Sequence, residues 1–127
     1  MSILLTGFDA FGGEAVNPSW LMLEAFNGTH IDGHAVHAHR LPTAFGQSLL
    51  ALAQHIDDLQ PDLVIAFGQA GGRSGVSLER VAINCDDARI ADNAGNQPVD
   101  TRIFSHAQNA YFSTLPIKAT LLALQQA

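Results

Sequence analysis

The feature that most constrains the fold is a regular apolar stripe lying between two stretches that have the character of strands. Its side chains recur at steps of four, three, four and three residues, which is the spacing of one face of an α-helix. They are Phe45, Leu49, Leu52, Ile56 and Leu59. Residues 34–41, which have strand character, precede the stripe, and the apolar run 62–67 follows it after Pro61. Because short joints link strand, helix and strand, the pattern predicts a parallel sheet with right-handed crossovers.

The remaining elements fit the same plan. Residues 2–6 are short and apolar and predict a buried first strand, and residues 62–67 predict a strand buried on both faces. Asn17 and Pro18 predict a helix N-cap and first helical residue. Thr43 is expected to cap the striped helix, and Pro116 to begin a last one. The fold class is therefore α/β, in a single domain over residues 1–127.

Charge and composition exclude several classes of function. The net charge is −6 and the arginines are spread without a basic run, so nucleic acid and anionic membrane are poor candidate partners. No stretch approaches the ~20 apolar residues of a membrane span. The single cysteine excludes an intramolecular disulfide framework and favours a reducing compartment, so a cytoplasmic location is expected. No cofactor is expected.

Hydrophobic residues make up 47% of the chain and charged residues only 14%, against a usual charged fraction of about 25%. Much of the surface is therefore expected to be covered by helices, a partner chain or a further segment.

His37 and His39 would share one face of a strand and could chelate a metal, but two ligands without a third are weak evidence. A solvated or edge face is the favoured interpretation.

Two glycine-rich loops follow predicted strands. Residues 68–75 hold four glycines in eight positions, which predicts backbone at positive φ or in close approach to a ligand or another segment. The loop 7–13 has the glycine spacing of a phosphate-binding loop but lacks its Lys-Ser/Thr, so no phosphate cradle is predicted. Its Phe8 and Phe11 could wall a ligand pocket beyond the sheet, although the residues alone favour a plug for the core.

Five motifs carry a resemblance to a known family. They are TGFDAFGG at 6–13, NPS at 17–19, LPT at 41–43, FGQAGGRSGVSLERVAINCDDARI at 67–90 and DNAG at 92–95. In this order and from about residue 3 to the last residues, the chain resembles the pyroglutamyl peptidase I (pyrrolidone carboxyl peptidase) family of cysteine peptidases. The resemblance implies a three-layer αβα fold with a mostly parallel sheet, of the phosphorylase/hydrolase-like kind and truncated at the C-terminus.

The resemblance also implies roles for two charged residues. In the family a cysteine attacks the carbonyl after an N-terminal pyroglutamate, a histidine moves the proton and an acidic residue orients the histidine. Glu79 matches that acidic residue, and an ion pair with Arg80 is the structural alternative. Arg89 matches a residue near the developing oxyanion, and a surface salt bridge with Asp86 or Asp87 is weighed evenly against that role.

The implied substrate pocket uses apolar walls and backbone. Phe8 and Phe11 match the aromatic walls around the lactam ring, and Ile90 adds an aliphatic wall. Gly68 and Gln69 match the turn whose backbone meets the lactam edge. Because pyroglutamate is neutral and flat, such walls with one or two backbone hydrogen bonds would select it over ordinary amino acids.

The resemblance places the family's nucleophilic cysteine and its histidine in segments that these 127 residues do not include. Cys85 lies at a different position and is interpreted as an apolar filler near a strand end. The chain alone is therefore expected to be inactive, to bind peptides with N-terminal pyroglutamate, and to form a homo-oligomer. The alternatives are a non-catalytic pyroglutamate-binding or interaction module and, last, a nucleoside phosphorylase-like enzyme.

Overall fold

The computed structural model describes residues 1–127 and contains six strands, three α-helices and one 3₁₀ turn, Glu24–Phe26. The strands are β1 (Ser2–Phe8), β2 (His30–Ile31), β3 (His34–Leu41), β4 (Leu63–Ala66), β5 (Val81–Ile83) and β6 (Ala110–Phe112). The helices are α1 (Pro18–Leu23), α2 (Gln47–Leu59) and α3 (Ile117–Gln126). The chain forms two compact units. We call Met1–Gly71 with Ile90–Gln97 the sheet unit, and Gly72–Arg89 with Pro98–Ala127 the hairpin unit.

The sheet unit is built on four strands in the order β2-β3-β1-β4. β1 runs parallel to both β3 and β4, and only the short β2 is antiparallel to its neighbour. The predicted α/β class with a mostly parallel sheet is confirmed. The prediction that residues 62–67 are buried on both faces is wrong, because β4 is an edge strand whose residues Leu63, Val64 and Ile65 are only half-buried.

Helices cover both faces of this sheet. On one face Ile3, Leu5, Val36 and Ala38 form the hydrophobic core with Leu23 of α1. The side chains of neighbouring strand residues point to the opposite face. There His39 of β3 stacks on His55 of α2, with ring centroids 3.9 Å apart. The sheet unit therefore has three layers, helix on sheet on helix.

The start of α1 is fixed by its cap and by a close approach to β1. The Ser19 N–H donates to Asn17 Oδ1 at 3.0 Å, which confirms the predicted N-cap. A Cβ atom at Gly7 would lie 2.7 Å from the Ser19 carbonyl oxygen, so only glycine lets the helix end pack directly on the strand. This packing determines where the chain goes after β1.

The start of α2 differs from the prediction. Gly46, at φ 75°, is the N-cap, and Thr43 lies outside the helix, where its hydroxyl donates to the Asp9 carbonyl instead. Residues 48, 51, 52, 55, 56 and 59 form the half-buried side of the helix. His55 thus takes a place in this stripe, whereas Leu49 remains 38% exposed.

The hairpin unit consists of the antiparallel pair β5 and β6, helix α3 and connecting turns. Its only buried side chain is that of Asn84, directly after β5. Asn84 Oδ1 accepts the N–H groups of Ile103 and Phe104, and Asn84 Nδ2 donates to the Phe104 carbonyl at 2.8 Å. A polar side chain thus takes the central place in this unit.

None of the chain's helices has the length and apolar character needed to cross a membrane.

Candidate functional site

Three loops of the sheet unit leave the same edge of the sheet, where parallel strands β1, β3 and β4 end. The Asp9 N–H donates to the Leu41 carbonyl at 3.0 Å, which ties the loop after β1 to the end of β3. The Phe67 N–H donates to the Thr6 carbonyl at 2.8 Å, which ties the chain after β4 to β1. This edge is where ligands sit in open parallel sheets.

Phe8 is held at this edge by α1. Its N–H donates to Ser19 Oγ at 3.0 Å, and its ring is half-buried. It lines a cleft of about 230 Å³ together with Trp20 and Arg40. Phe11 is also half-buried but does not line this cleft, and neither does Ile90. That Phe8 and Phe11 wall one lactam pocket therefore stays a prediction.

Asp9 is the centre of the loop after β1. Its carboxylate pairs with Arg40 at 3.0 Å, and the Arg40 guanidinium lies 5.9 Å from the centroid of the Trp20 ring. Its backbone carbonyl accepts hydrogen bonds from Asn17 Nδ2 at 2.9 Å and from Thr43 Oγ1 at 2.8 Å. These contacts fix the loop between α1 and the end of β3.

Ile90 comes to the same loop from far along the chain. Its Cδ1 atom lies 3.9 Å from the position a Cβ would take on Gly12. The side chain is otherwise 57% exposed. The structure therefore brings one predicted pocket residue, Ile90, against the loop that carries Phe11 and begins directly after Phe8.

Gly68 and Gln69 follow β4 and are both exposed. Of the two alternatives for the glycines of 68–75, the close approach of another chain segment is not found, because a Cβ on any of the four would meet no atom within 4 Å. Only Gly72 adopts a positive φ, of 81°. Close approach of a ligand backbone to Gly68 stays a prediction.

Glu79 lies in the hairpin unit before β5, and its side chain is 74% exposed. It forms a salt bridge with Arg73 at 3.2 Å. The interpretation of an ion pair with Arg80 is therefore wrong, because the Glu79 carboxylate pairs with Arg73 instead. Arg89 is exposed and follows the bridge between Asp86 and Thr101.

Cys85 has surroundings opposite to those of an activated thiol. Its Sγ donates to Asp100 Oδ1 at 3.6 Å, and the side chain is half-buried. Loss of solvation, the hydrogen bond to Asp100 and the negative charges of Asp100, Asp87 and Asp86 raise the pKa of the thiol. The interpretation as an apolar filler is wrong, because the thiol contacts a carboxylate. A nucleophilic cysteine would need positive neighbours.

The predicted solvated face for His37 and His39 is wrong at His39. Burial first, and then the charges of His55 and His37, lower the pKa of His39, which favours the neutral form of the stacked imidazole. No cluster of three or more His, Cys, Asp or Glu side chains in residues 1–127 could hold a metal ion.

Sequence reasoning gave no role to two residues that organise this edge, Asp92 and Asn93. The Phe45 N–H donates to Asp92 Oδ2 at 2.6 Å, and Asn93 Nδ2 donates to the Ala10 carbonyl at 2.9 Å. The signal that could have found them is the motif DNAG, whose side chains favour turns. Their partners lie 47 and 83 residues away in the sequence.

The sequence as a whole matches a family of peptidases. The family model described as pyroglutamyl peptidase matches residues 1–127, and the chain belongs to this family. The pyrrolidone-carboxylate peptidase of Klebsiella pneumoniae (strain 342) is 58% identical over 123 residues, which are 97% of this chain and 58% of that protein. The pyrrolidone-carboxylate peptidase of Yersinia pestis (strain Pestoides F) is 53% identical over 125 residues, 98% of this chain and 58% of that protein.

Solved structures agree with this assignment. Pyroglutamyl peptidase I of Bacillus amyloliquefaciens superimposes with a TM-score of 0.95 at 45% identity, over 98% of this chain and 61% of that one. A mutant pyrrolidone carboxyl peptidase of the hyperthermophile Pyrococcus furiosus gives a TM-score of 0.97 at 41% identity, over 99% and 61% of the two chains. The chain thus spans about three fifths of the length of the relatives it matches.

Proposed function

We propose that the protein to which these residues belong removes N-terminal pyroglutamate from peptides, and that the sheet unit carries the recognition of the lactam. The observation that carries this proposal is the convergence of predicted pocket residues on one sheet edge. Phe8 is the last residue of β1, Phe11 lies in the loop that follows, Ile90 contacts that loop, and Gly68 follows the neighbouring β4. Membership in the pyroglutamyl peptidase family supports the substrate.

The proposed recognition is mostly apolar. The rings of Phe8 and Phe11 and the side chain of Ile90 would contact the flat lactam, and the exposed backbone at Gly68 and Gln69 would hydrogen-bond to its edge. An ordinary amino acid brings a charged ammonium group in place of the lactam. That group would be desolvated without a partner, which disfavours it.

The proposed roles of Glu79 and Arg89 concern the chemical step. Glu79 would accept a hydrogen bond from the catalytic imidazole and stabilise the imidazolium that forms during attack. Arg89 would stabilise the negative charge that develops on the carbonyl oxygen. Exposure supports the role of Glu79. The Glu79 carboxylate is 74% exposed and its partner Arg73 is 55% exposed, so their salt bridge is weak and the carboxylate can form a hydrogen bond with the imidazole instead.

We further propose that the attacking thiol and its base are not among these 127 residues. The sheet unit contains no cysteine, and Cys85, the only thiol, donates to Asp100 rather than to a histidine. The named relatives are peptidases, so the comparisons support neither an inactive fragment nor the alternative of a non-catalytic binding module. Inactivity of the isolated chain thus rests on the environment of Cys85.

The test is hydrolysis of a pyroglutamyl-amide reporter by two proteins. One is the 127-residue chain, and the other is this chain fused to the part of the Klebsiella pneumoniae relative that the match does not cover. We expect turnover by the fusion only, with strong loss in Glu79→Gln and no loss in Cys85→Ser. Turnover by the chain alone that disappears in Cys85→Ser would overturn the assignment of the nucleophile. A folded but inactive fusion would contradict the function.

Self-association is a separate proposal. Helix α3 exposes Leu122 by 59% and Leu124 by 45%, and β6 exposes Phe112 by 74%. Apolar surface of this kind is commonly buried between protein chains. Light scattering should give a mass above 13.5 kDa that falls on dilution. A monomer at high concentration without binding of a hydrophobic dye would contradict this proposal.

A further inference from the structure

Residues 90–97 are attached to the rest of the sheet unit through two adjacent residues, Asp92 and Asn93. Asp92 Oδ1 accepts the N–H groups of Ala94 and Asn96 at 2.9 and 2.8 Å, which folds the segment into a turn. Asp92 Oδ2 accepts the Phe45 N–H at 2.6 Å, which joins that turn to the chain before α2. One carboxylate therefore shapes the segment and also anchors it.

Asn93 makes the second attachment. Its backbone N–H donates to the Thr43 carbonyl at 3.0 Å, and its Nδ2 donates to the Ala10 carbonyl at 2.9 Å. Thr43 in turn donates from Oγ1 to the Asp9 carbonyl at 2.8 Å. The loop after β1 is thus hydrogen-bonded to both the loop after β3 and the segment 90–97.

Ile90 stands two residues before this pair, and its Cδ1 lies 3.9 Å from the Cβ position of Gly12. We propose that Asp92 and Asn93 are positioning residues, which hold Ile90 against the loop after β1 and so set the width of the lactam pocket. Neither residue is required to touch the substrate. Their effect on recognition rests on the proposed function, whereas their effect on the placement of Ile90 does not.

Each of the two side chains should be disrupted by substitution with the other residue type, Asp92 by asparagine and Asn93 by aspartate. The Asp92 carboxylate only accepts hydrogen bonds, from three backbone N–H groups and from Asn96 Nδ2. Asp92→Asn would replace one acceptor oxygen by an NH₂ group that faces donors. Asn93 donates to a carbonyl, so Asn93→Asp would place a carboxylate oxygen against the Ala10 oxygen.

Asn27→Asp is the matched control. Asn27 lies in the same unit, and its Oδ1 accepts the Ala38 N–H at 3.0 Å. An aspartate keeps this acceptor, so the same Asn-to-Asp change should leave the fold and the pocket unchanged. The control separates loss of the Asn93 donor from a general effect of added negative charge.

The first measurement needs no ligand. We expect amide hydrogen exchange at Phe45 to rise at least about tenfold in Asp92→Asn, since an N–H bound to a carboxylate loses its charged acceptor. The nuclear Overhauser effect between the Ile90 δ1-methyl and Gly12 should weaken in Asp92→Asn and Asn93→Asp and persist in Asn27→Asp. Exchange of the buried β1 amides should not change in any variant. An unchanged Ile90 contact in both variants would overturn the proposal.

The second measurement is the affinity for pyroglutamide, a neutral lactam probe. We expect the affinity to fall about tenfold in Asp92→Asn and Asn93→Asp and to stay constant in Asn27→Asp. A loosened Ile90 contact with unchanged affinity would overturn the role in recognition. If the unsubstituted chain does not bind pyroglutamide, the proposed function fails. The placement of Ile90 is then decided by exchange and Overhauser data alone.

Discussion

The two units of this chain are stabilised by different means. Every buried apolar side chain belongs to the sheet unit, where Leu4 and Val36 are fully buried. The hairpin unit buries only Asn84, which is polar and makes three side-chain hydrogen bonds to the 103–104 backbone. One unit therefore depends on apolar burial and close packing, and the other depends on hydrogen bonds around one amide.

This difference shows how firmly the surrounding structure fixes the position of each candidate site residue. Phe8 is the last residue of β1, and the five residues before it are buried, so its position is determined by packing. Glu79 lies between Val76 and Val81, which are 71% and 43% exposed. The contacts within the hairpin unit do little to fix its carboxylate. The residues proposed for recognition thus lie in the unit with a buried apolar core, and Glu79 lies in the unit without one.

The largest expected effect is in the core of the sheet unit. Leu4→Ala should lower the free energy of unfolding by about 3 kcal/mol, because it removes a fully buried side chain and leaves a cavity. Leu122→Ala in α3 removes a side chain that is 59% exposed and should change the free energy of unfolding by less than about 0.5 kcal/mol. Urea denaturation measures both. Equal losses would break the contrast between the units.

The next effect is at the centre of the hairpin unit. Asn84→Ala should destabilise this unit by about 2 kcal/mol, because it leaves the Ile103 and Phe104 N–H groups and the Phe104 carbonyl without their partner. Amide exchange at 103 and 104 should rise while exchange in β1 stays slow. Asn84→Asp keeps the acceptor and should lose less. Uniform acceleration in both units would show that the two share one opening transition.

A smaller effect depends on pH and belongs to the sheet unit. Burial, His55 and His37 lower the pKa of His39 from its ordinary value of 6.5, so the neutral imidazole is favoured in the folded state. Its contribution to stability is present above about pH 6.5 and is lost as pH falls through the lowered pKa. His39→Phe keeps a stacking ring that does not titrate. Its unfolding free energy should decline less between pH 7.5 and 5 than that of the unsubstituted chain, and an identical decline would contradict the assignment.

The smallest effect concerns the salt bridge of Glu79. Both partners are mostly exposed, so Arg73→Ala should change the free energy of unfolding by less than about 0.5 kcal/mol. A thermal melt of Arg73→Ala beside Lys118→Ala, which alters a charge on α3, would measure this. A loss above about 1 kcal/mol only in Arg73→Ala would mean that the hairpin unit depends on this pair, and that Glu79 is held more firmly than its exposure indicates.

Local signals in the sequence predicted much of the fold. The apolar run of β1, the strand predicted at residues 34–41, the Asn17-Pro18 helix start and the α3 helix after Pro116 are all present. Thr43 shows the limit, because a threonine before a helix has the same sequence signature whether its hydroxyl caps the helix or donates to Asp9. The edge position of β4 was equally hidden, since periodicity reports apolar character and not the number of neighbouring strands.

The candidate site was predictable to a smaller degree. Family motifs indicated Phe8, Phe11 and Ile90, but nothing local showed that Ile90 reaches the loop after β1. The Asp92 and Asn93 attachments depend on partners 47 and 83 residues away, which no short pattern encodes. Glu79 forms its salt bridge with Arg73 rather than with Arg80, and this pairing likewise depends on the path of the backbone from Arg73 to Glu79.

The central claim is that the loops at the carboxyl end of β1 and β4 recognise the lactam, and an NMR titration tests it most directly. Pyroglutamide added to the 127-residue chain should shift the resonances of Phe8, Phe11, Gln69 and the Ile90 methyl, and prolinamide, which lacks the lactam carbonyl, should not. Saturable shifts at these four residues would agree with the account. Shifts confined to β5 and β6, or an equal response to prolinamide, would contradict it.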